Sequence, residues 1–174
     1  DREFFRAVFD IRSDVLRRSL SATAFQLPAN PDWTRITYAT PEDLMYHGSE
    51  LQELREIADD GQTIFGRVAA SAPVQLFGSS RAKGFTVPCA TMDACLCAVG
   101  YAAFHRHQMS SLPVQFDQIE FGRLPDPGEP CVVRIQQSRV SDIGAVWDFK
   151  LQGHNGDRLL TVNGYQTAWL KAGS

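Results

Sequence analysis

One carboxylate stands alone in the most apolar stretch of the chain. Residues 91–104 contain Asp93 as their only charged side chain. At about 100° per residue, the apolar side chains of a helix here would point in every direction, and such a helix is expected to be buried on all sides. Asp93 then has two roles open to it. It caps backbone N–H groups and stays ionised, or burial raises its pKa from about 3.9 to near 7 and it can donate a proton.

The other residues able to bind metals or act as nucleophiles show no recognisable spacing. The four cysteines are Cys89, Cys95, Cys97 and Cys131. Their separations match no zinc template, and they are predicted to be reduced, buried thiols of a cytoplasmic protein. His105 and His107 are two residues apart, so on a helix their side chains point in different directions. They are expected to interact with the C-terminal end of the helix dipole and not to bind one metal ion together. No metal site is predicted.

Length and charge exclude several classes of function. The chain has 174 residues, 44% hydrophobic and 21% charged, which is typical of one soluble globular domain. No apolar run reaches the roughly 18 residues of a membrane span, and no signal peptide is visible. A net charge of -3 offers no basic surface to nucleic acid. The charged, amphipathic first residues are those expected of a segment from inside a longer polypeptide.

The elements before the apolar helix are predicted from alternation and capping signals. Strands are predicted over residues 5–11, 34–40 and 64–70. Residues 12–32 contain the charged and proline-rich sequence of a linker. Thr40, followed by proline and two acidic residues, predicts a helix that ends near Gly48 or continues to Leu54. The expected order is strand, helix, two strands and then the apolar helix.

Only strands are predicted beyond the apolar helix, about four of them. Apolar residues alternate at 131, 133 and 135, and again at 145, 147, 149 and 151. The alternation slips at Asp117, which indicates a β-bulge, and Asn155 with Gly156 predicts a hairpin turn. An antiparallel sheet wrapped around one central buried helix is the α+β hot-dog fold. Residues 33–171 are assigned to it, after an N-terminal strand and linker over residues 1–32.

Three segments resemble the second hot dog of polyketide synthase dehydratases. Residues 44–54 resemble the Tyr-Gly-Pro-x-Phe region of that family and are closest to the His-Gly-Pro variant of iterative enediyne-type synthases. Residues 88–94 are similar to its Pro-x-x-x-Asp-Ala segment, and residues 112–114 to the Leu-Pro motif that opens the next strand. Residues 4–7 resemble the closing strand of a preceding hot dog. The chain is thus similar to the C-terminal half of a double hot dog.

The resemblance implies a lyase that removes water from a 3-hydroxyacyl thioester on the phosphopantetheine arm of an acyl carrier protein. In the family, a histidine of the first hot dog removes the α-proton, and an aspartate on the second hot dog's helix protonates the departing hydroxyl. Asp93 holds the position of that aspartate. No cofactor is expected to bind directly. The implied partners are the carrier protein and the other domains of a cytoplasmic multidomain synthase, and a homodimer stays open.

The resemblance also assigns residues that surround the substrate. They are Tyr46, His47, Gly48, Leu51, Cys97 and Tyr101. His47 has two main interpretations, a turn histidine satisfied by backbone groups or a residue at the mouth of the acyl tunnel, and its use as the base is a lesser alternative. Arg55, Arg81 and Lys83 form either a solvated face or a contact for an acidic carrier protein.

The chain departs from the family at functional positions. Cys97 stands where Gln or His usually holds the aspartate, and a thiol is a weak hydrogen-bond donor. Ser49 replaces a turn proline, Pro88 lies one residue further than usual from the aspartate, and the His-x-x-x-Gly-x-x-x-x-Pro motif is absent. Two alternatives therefore stay open. One is a non-catalytic dehydratase-like domain for structure or carrier docking, and the other is a dimeric hot-dog acyl thioesterase.

Overall fold

The structure is a computed structural model that describes residues 24–38, 47–71 and 87–170. The strand predicted over residues 5–11 and the helix start predicted at Thr40 lie outside these residues. The proposed boundary between residues 32 and 33 stays a prediction, because only part of the chain on its N-terminal side is described.

Eight strands of the described residues form one antiparallel sheet. In chain order they are β1 (Thr34–Arg35), β2 (Leu54–Asp59), β3 (Thr63–Ala69), β4 (Ser111–Gln115), β5 (Gln118–Phe121), β6 (Pro130–Ser141), β7 (Gly144–Gln152) and β8 (Arg158–Trp169). Helix α1 (Cys89–His107) lies between β3 and β4 in the chain. The strand order is β1-β2-β3-β6-β7-β8-β4, and β5 also pairs with β8. Because β3 pairs with β6 along its whole length, strands from both sides of the helix join in one sheet.

Residues 49–54, which precede the β2–β3 hairpin, do not form the helix predicted to continue to Leu54. Leu54 opens strand β2 and pairs with Val68 of β3, and residues 49–51 form a single 3-10 turn, so the extension of a helix to Leu54 is wrong. The physical reason is burial, since Leu54 is fully buried in the core that the sheet and the helix share. The turn between β2 and β3 contains Gly61, which adopts φ 88° and whose N–H donates to Asp59 Oδ1 at 2.8 Å.

Helix α1 packs one face against the sheet. The buried residues on this face are Ala90, Thr91, Ala94, Cys95, Ala98, Val99, Ala102 and Ala103. Their small side chains let the helix approach the strands closely, and a Cβ placed on Gly66 of β3 would lie 3.4 Å from the Cβ of Ala98. On the opposite face Leu96 and Tyr101 are half-buried and Phe104 is exposed. The expectation of burial on all sides is therefore wrong, because the sheet covers only one face.

The C-terminal end of α1 is fixed by specific contacts. Gln108 adopts the left-handed conformation at φ 54°, and its N–H donates to the Phe104 carbonyl at 2.7 Å. The guanidinium of Arg106 donates two hydrogen bonds to Asp59 at the β2–β3 turn. His107 pairs with the side chain of Gln137 at 3.1 Å, so a side chain of the sheet satisfies it. Among the described helices, none has the length and apolarity needed to cross a bilayer.

The strands after the helix follow their predicted pattern. Trp147 and Phe149 of β7 are fully buried, as are the alternating apolar residues of β6 that face the same core. The hairpin between β7 and β8 contains Gly156 at φ 83°, as predicted. The predicted bulge is also present, because Asp117 separates β4 from β5 and both of these strands pair with β8. The sheet and its single long helix confirm the hot-dog fold.

Candidate active site

Helix α1 presents Asp93 and Cys97 one turn apart on its half-buried face. They occupy positions i and i+4, a spacing that stacks two side chains on the same side of a helix. The helix begins at Cys89 after Pro88, and its first turn contains no acidic residue and no side-chain cap. Asp93 is therefore in the second turn, and the interpretation of Asp93 as a capping aspartate is wrong. Its carboxylate faces other side chains instead.

The residue that meets Asp93 is His47, which lies just before the 3-10 turn over Ser49–Leu51. The turn is closed by a hydrogen bond from the Leu51 N–H to the Gly48 carbonyl at 2.9 Å. The side-chain amide of Gln52 donates to the His47 carbonyl at 2.8 Å. The edge of the Tyr38 ring packs against the imidazole with centroids 6.0 Å apart. These contacts hold the His47 backbone and ring in one place beside the helix.

His47, Asp93 and Cys97 form a compact cluster. The Nε2 atom of His47 lies 3.2 Å from Asp93 Oδ2 and 3.2 Å from Cys97 Sγ. The Cys97 thiol lies 3.8 Å from the same Asp93 oxygen and is directed toward it as a donor. Within the described residues, the other ring nitrogen of His47, Nδ1, is buried without a hydrogen-bond partner. The ring is thus satisfied by side chains on one edge and not by backbone groups.

The cluster is open on one side. The side chains of His47 and Asp93 are 21% and 35% exposed, so a bound molecule can reach the carboxylate. Asp93 is less buried than the sequence analysis expected, because it lies on the face of α1 that the sheet leaves uncovered. The arrangement allows a proton to pass between Asp93 and the His47 ring, whose Nε2 acts as donor or acceptor according to its tautomer.

Cys97 acts here as a hydrogen-bond donor and not as a nucleophile. Burial, the negative charge of Asp93 and the hydrogen bond to Asp93 together raise the pKa of its thiol to about 12. A thiolate is the nucleophilic form of cysteine, and at neutral pH this side chain keeps its proton. All four cysteines are free thiols, but only Cys95 and Cys131 are buried, so the expectation of four buried thiols is half right.

Two tyrosines border the cluster and were not singled out from the sequence. The Tyr38 hydroxyl donates to the Leu54 carbonyl at 2.8 Å, and burial raises the pKa of its phenol. Tyr165 of β8 stacks on Phe116 with ring centroids 4.8 Å apart, and burial raises the pKa of its phenol. Both phenols therefore stay protonated. Tyr165 continues the alternation of β8, but that pattern indicates only burial.

The other residues predicted to contact the substrate or the carrier protein differ in position and exposure. Gly48 precedes the 3-10 turn and is exposed, and Leu51 ends the turn half-buried. Tyr101 lies one helical turn after Cys97 on the same half-buried face. Arg55 is exposed on β2. Tyr46, Arg81 and Lys83 lie outside the described residues.

The cluster also contains three kinds of metal ligand. One nitrogen of His47, one oxygen of Asp93 and the sulfur of Cys97 all lie within 4.8 Å of one another. A metal site was not predicted from the sequence, because the cysteine spacings match no zinc template and His105 and His107 diverge on a helix. His47 is distant in the chain from the helix, so only the fold could bring it to the other two residues.

Solved structures with a similar fold come from polyketide synthases. A bifunctional dehydratase-cyclase domain of ambruticin biosynthesis superposes with a TM-score of 0.61 and 18% identity, over 83% of this chain and 49% of that one. A dehydratase domain of a mycocerosic acid synthase-like synthase gives 0.54 and 21%, over 70% and 42%. A trans-acyltransferase polyketide synthase enoyl-isomerase gives 0.55 and 15%, over 69% and 46%. At these identities the similarity shows the fold alone.

The chain spans less than half the length of each of these structures. No curated protein matches the sequence significantly. A family model described as "Polyketide synthase dehydratase N-terminal domain" matches residues 20–173, which is most of the sequence. The chain therefore belongs to the polyketide synthase dehydratase family that this description names.

Proposed function

We propose that this chain is the C-terminal hot dog of a polyketide synthase dehydratase and that Asp93 is its general acid. The observation that carries the proposal is the contact between His47 Nε2 and Asp93 Oδ2 at 3.2 Å, on the accessible face of the central helix. A carboxyl group that acts as an acid needs a partner that fixes its orientation. His47 supplies that partner from a different element than the family's residue four positions after the aspartate, where Cys97 stands here.

The reaction uses each group in a defined way. A base outside these residues removes the α-proton of a 3-hydroxyacyl thioester. The electrons of the broken Cα–H bond form the Cα–Cβ double bond. The Cβ–O bond breaks, and the departing oxygen takes the proton of the Asp93 carboxyl group and leaves as water. Asp93 ends the step as a carboxylate, which the Nε2–H tautomer of His47 can stabilise by donating a hydrogen bond.

The matching family model is described as the N-terminal domain, so the assignment to the C-terminal half is our proposal and rests on the residues themselves. The motif His-x-x-x-Gly-x-x-x-x-Pro, which carries the base in the first hot dog of the family, is absent from these 174 residues. An aspartate on the central helix is the residue that the second hot dog contributes. The similarity of residues 44–54 to the His-Gly-Pro variant further favours an iterative enediyne-type synthase as the parent.

The proposal includes the partners of the reaction. The substrate is carried on the phosphopantetheine arm of an acyl carrier protein, and no cofactor bound to this chain is needed for the elimination. Arg55 is exposed on β2, shortly after the 3-10 turn in the chain, where it can meet an acidic carrier protein. The other half of the active site comes from another domain of the same cytoplasmic synthase.

Replacement of Asp93 in the full-length parent synthase tests the proposal. Asp93→Asn keeps the shape of the side chain but has no acidic proton, so dehydration of a carrier-bound 3-hydroxyacyl thioester should slow by about 10²–10⁴-fold. Mass spectrometry of the carrier-bound acyl chain measures the loss of water. Asp142→Asn, at an exposed position of the β6–β7 hairpin, is the matched control and should keep the full rate.

The alternatives give different results in the same assay. Unchanged dehydration in the Asp93→Asn synthase would favour a structural or carrier-docking domain and would reject Asp93 as the acid. Release of a free acid from the thioester, lost in the same variant, would indicate the acyl thioesterase instead. We expect neither result.

A further inference from the structure

We propose that His47, Asp93 and Cys97 form a binding site for a divalent transition-metal ion, with Zn²⁺ as the best match to the ligand set. The three ligand atoms are a ring nitrogen, a carboxylate oxygen and a sulfur, and together they lie within 4.8 Å. Zinc binds combinations of these three atom types in proteins, usually with four ligands in a tetrahedron. Magnesium and calcium prefer sites made of oxygen atoms only.

The distances fit such an ion without rearrangement. Nε2, Oδ2 and Sγ form a triangle with sides of 3.2, 3.2 and 3.8 Å. The centre of that triangle is about 2.0 Å from each corner, close to the Zn–N and Zn–O lengths of about 2.0–2.2 Å. An ion displaced slightly from the plane also reaches the Zn–S length of about 2.3 Å. Hydrogen bonding alone does not require three mutual distances that suit one ion.

The elements that carry the ligands are suited to chelation. Asp93 and Cys97 occupy positions i and i+4 of α1, a spacing that places two ligands on one face of a helix, as in the His pair of H-E-x-x-H metal sites. His47 completes the triangle from a turn whose backbone is held by Gln52. The helix is packed on the sheet along its other face, so the two helical ligands are held in fixed positions.

The open side of the cluster leaves a position for a fourth ligand. Asp93 is 35% exposed, so water or a ligand atom of a bound molecule can complete the tetrahedron. Zinc-binding histidines usually donate their second ring N–H to an oxygen atom. Among the described residues His47 Nδ1 has no such partner, and this predicts reversible binding and not a permanently occupied structural site.

Metal binding would oppose the chemistry assigned to Asp93. An ion on Oδ2 is bound by the carboxylate form of Asp93, which has no proton to transfer, so the ion-loaded site cannot act as the general acid. This consequence rests on the proposed dehydratase function, whereas the metal site itself does not. Zinc would then inhibit dehydration reversibly, and a chelator would restore the rate.

Cobalt substitution tests the site in the full-length protein. After treatment with a chelator, Co²⁺ should produce a near-ultraviolet thiolate-to-metal band and the visible bands of a tetrahedral ion, and Zn²⁺ should remove both because it binds more tightly. Cys97→Ser should abolish the thiolate band. His47→Gln should weaken Co²⁺ binding by about tenfold or more. Cys89→Ser changes an exposed cysteine outside the cluster and should leave the spectrum intact.

The outcomes separate the metal site from the proposed function. Wild-type protein without a thiolate band under excess Co²⁺, or a band that survives in Cys97→Ser, overturns the metal site. Circular dichroism shows whether each variant is folded, and His47→Gln decides the matter if Cys97→Ser does not fold. Because these spectra need no substrate, their result is independent of the dehydration assay on Asp93→Asn.

Discussion

His47 Nε2 and Asp93 Oδ2 lie 3.2 Å apart, although they come from a turn and a helix that are far apart in the chain. Cys97 is a poor substitute for the amide or imidazole that usually follows the aspartate in this family, because a thiol donates only weakly. In the proposed mechanism the imidazole of His47, which comes from the turn, takes over the contact with the carboxylate.

Removal of the His47 ring should impair the reaction through Asp93. His47→Ala in the full-length synthase should lower kcat for dehydration by about tenfold, because a hydrogen bond to a charged group contributes about 1.5–3 kcal/mol. The Michaelis constant should change much less, since the ring orients Asp93 and does not hold the acyl chain. Rates measured across pH should also show a displaced alkaline limb, because the general acid must hold its proton, and loss of packing alone would not displace it.

A conservative replacement serves as the control for His47. His47→Gln retains a side-chain group that can donate or accept, so part of the rate should return relative to His47→Ala. Equal rates for wild type and His47→Ala would remove His47 from the mechanism and leave Asp93 to act without it.

The distance between the helix and the sheet depends on Gly66 of β3. A Cβ at this position would lie 2.9 Å from Val133 Cγ1 and 3.0 Å from Leu54 Cδ1, both in the buried core. Gly66→Ala should therefore lower the free energy of unfolding by about 1–3 kcal/mol, the usual cost of overpacking a core. Urea or thermal denaturation of the purified protein measures the loss.

Gly100 on helix α1 is the matched control. Among the described residues, a Cβ there would meet nothing within 4 Å. Glycine is a poor helix former, so Gly100→Ala should raise the free energy of unfolding by about 0.5–1 kcal/mol. Opposite signs for the two variants support the packing described here, and equal losses would contradict it.

The sequence predicts what local patterns determine. Alternation predicted β6 and β7, and the Gly156 turn between β7 and β8 followed from a two-residue signal. Strand β2 was not assigned to residues because its buried positions, Leu54 among them, follow a bulged pattern and not simple alternation. The contact of His47 with Asp93 could not be predicted, because the two residues are far apart in the chain and meet only when the fold places the turn beside the helix.

The bulge between β4 and β5 requires glycine at position 164. Gly164 has φ 63°, and a Cβ there would overlap the carboxylate of Asp117. Gly164→Ala should therefore destabilise the protein by about 1–3 kcal/mol, because strain in the left-handed region adds to the steric clash. Denaturation curves measure the change. In Asp117→Ala/Gly164→Ala the clash with the carboxylate is removed, and the backbone strain and the 2.8 Å approach to the Cβ at position 117 remain. Equal losses in the two variants would show that the clash with the carboxylate is unimportant.

Glu129 is a buried carboxylate whose charge stabilises the folded state. Its side chain is 1% exposed and accepts two hydrogen bonds from the Arg123 guanidinium, at 2.7 and 2.8 Å. These bonds, with further ones from the Asp126 N–H and His154, lower its pKa from the ordinary 4.5 to about 2. The folded state therefore binds this proton less readily than the unfolded state. The resulting stabilisation is complete above pH 4.5 and is lost as the pH falls toward 2.

The stability of Glu129→Gln should accordingly depend on pH differently from that of the wild type. The lowered pKa corresponds to up to about 3 kcal/mol, so the variant should unfold more easily by an amount of that order at pH 7. The difference between variant and wild type should shrink as the pH falls through the folded-state pKa near 2. Glu120→Gln changes an exposed carboxylate and should follow the wild type at every pH. If the free energy of unfolding of Glu129→Gln ran parallel to that of the wild type from pH 7 down to 2, the ion pair with Arg123 would not stabilise the charged form of Glu129.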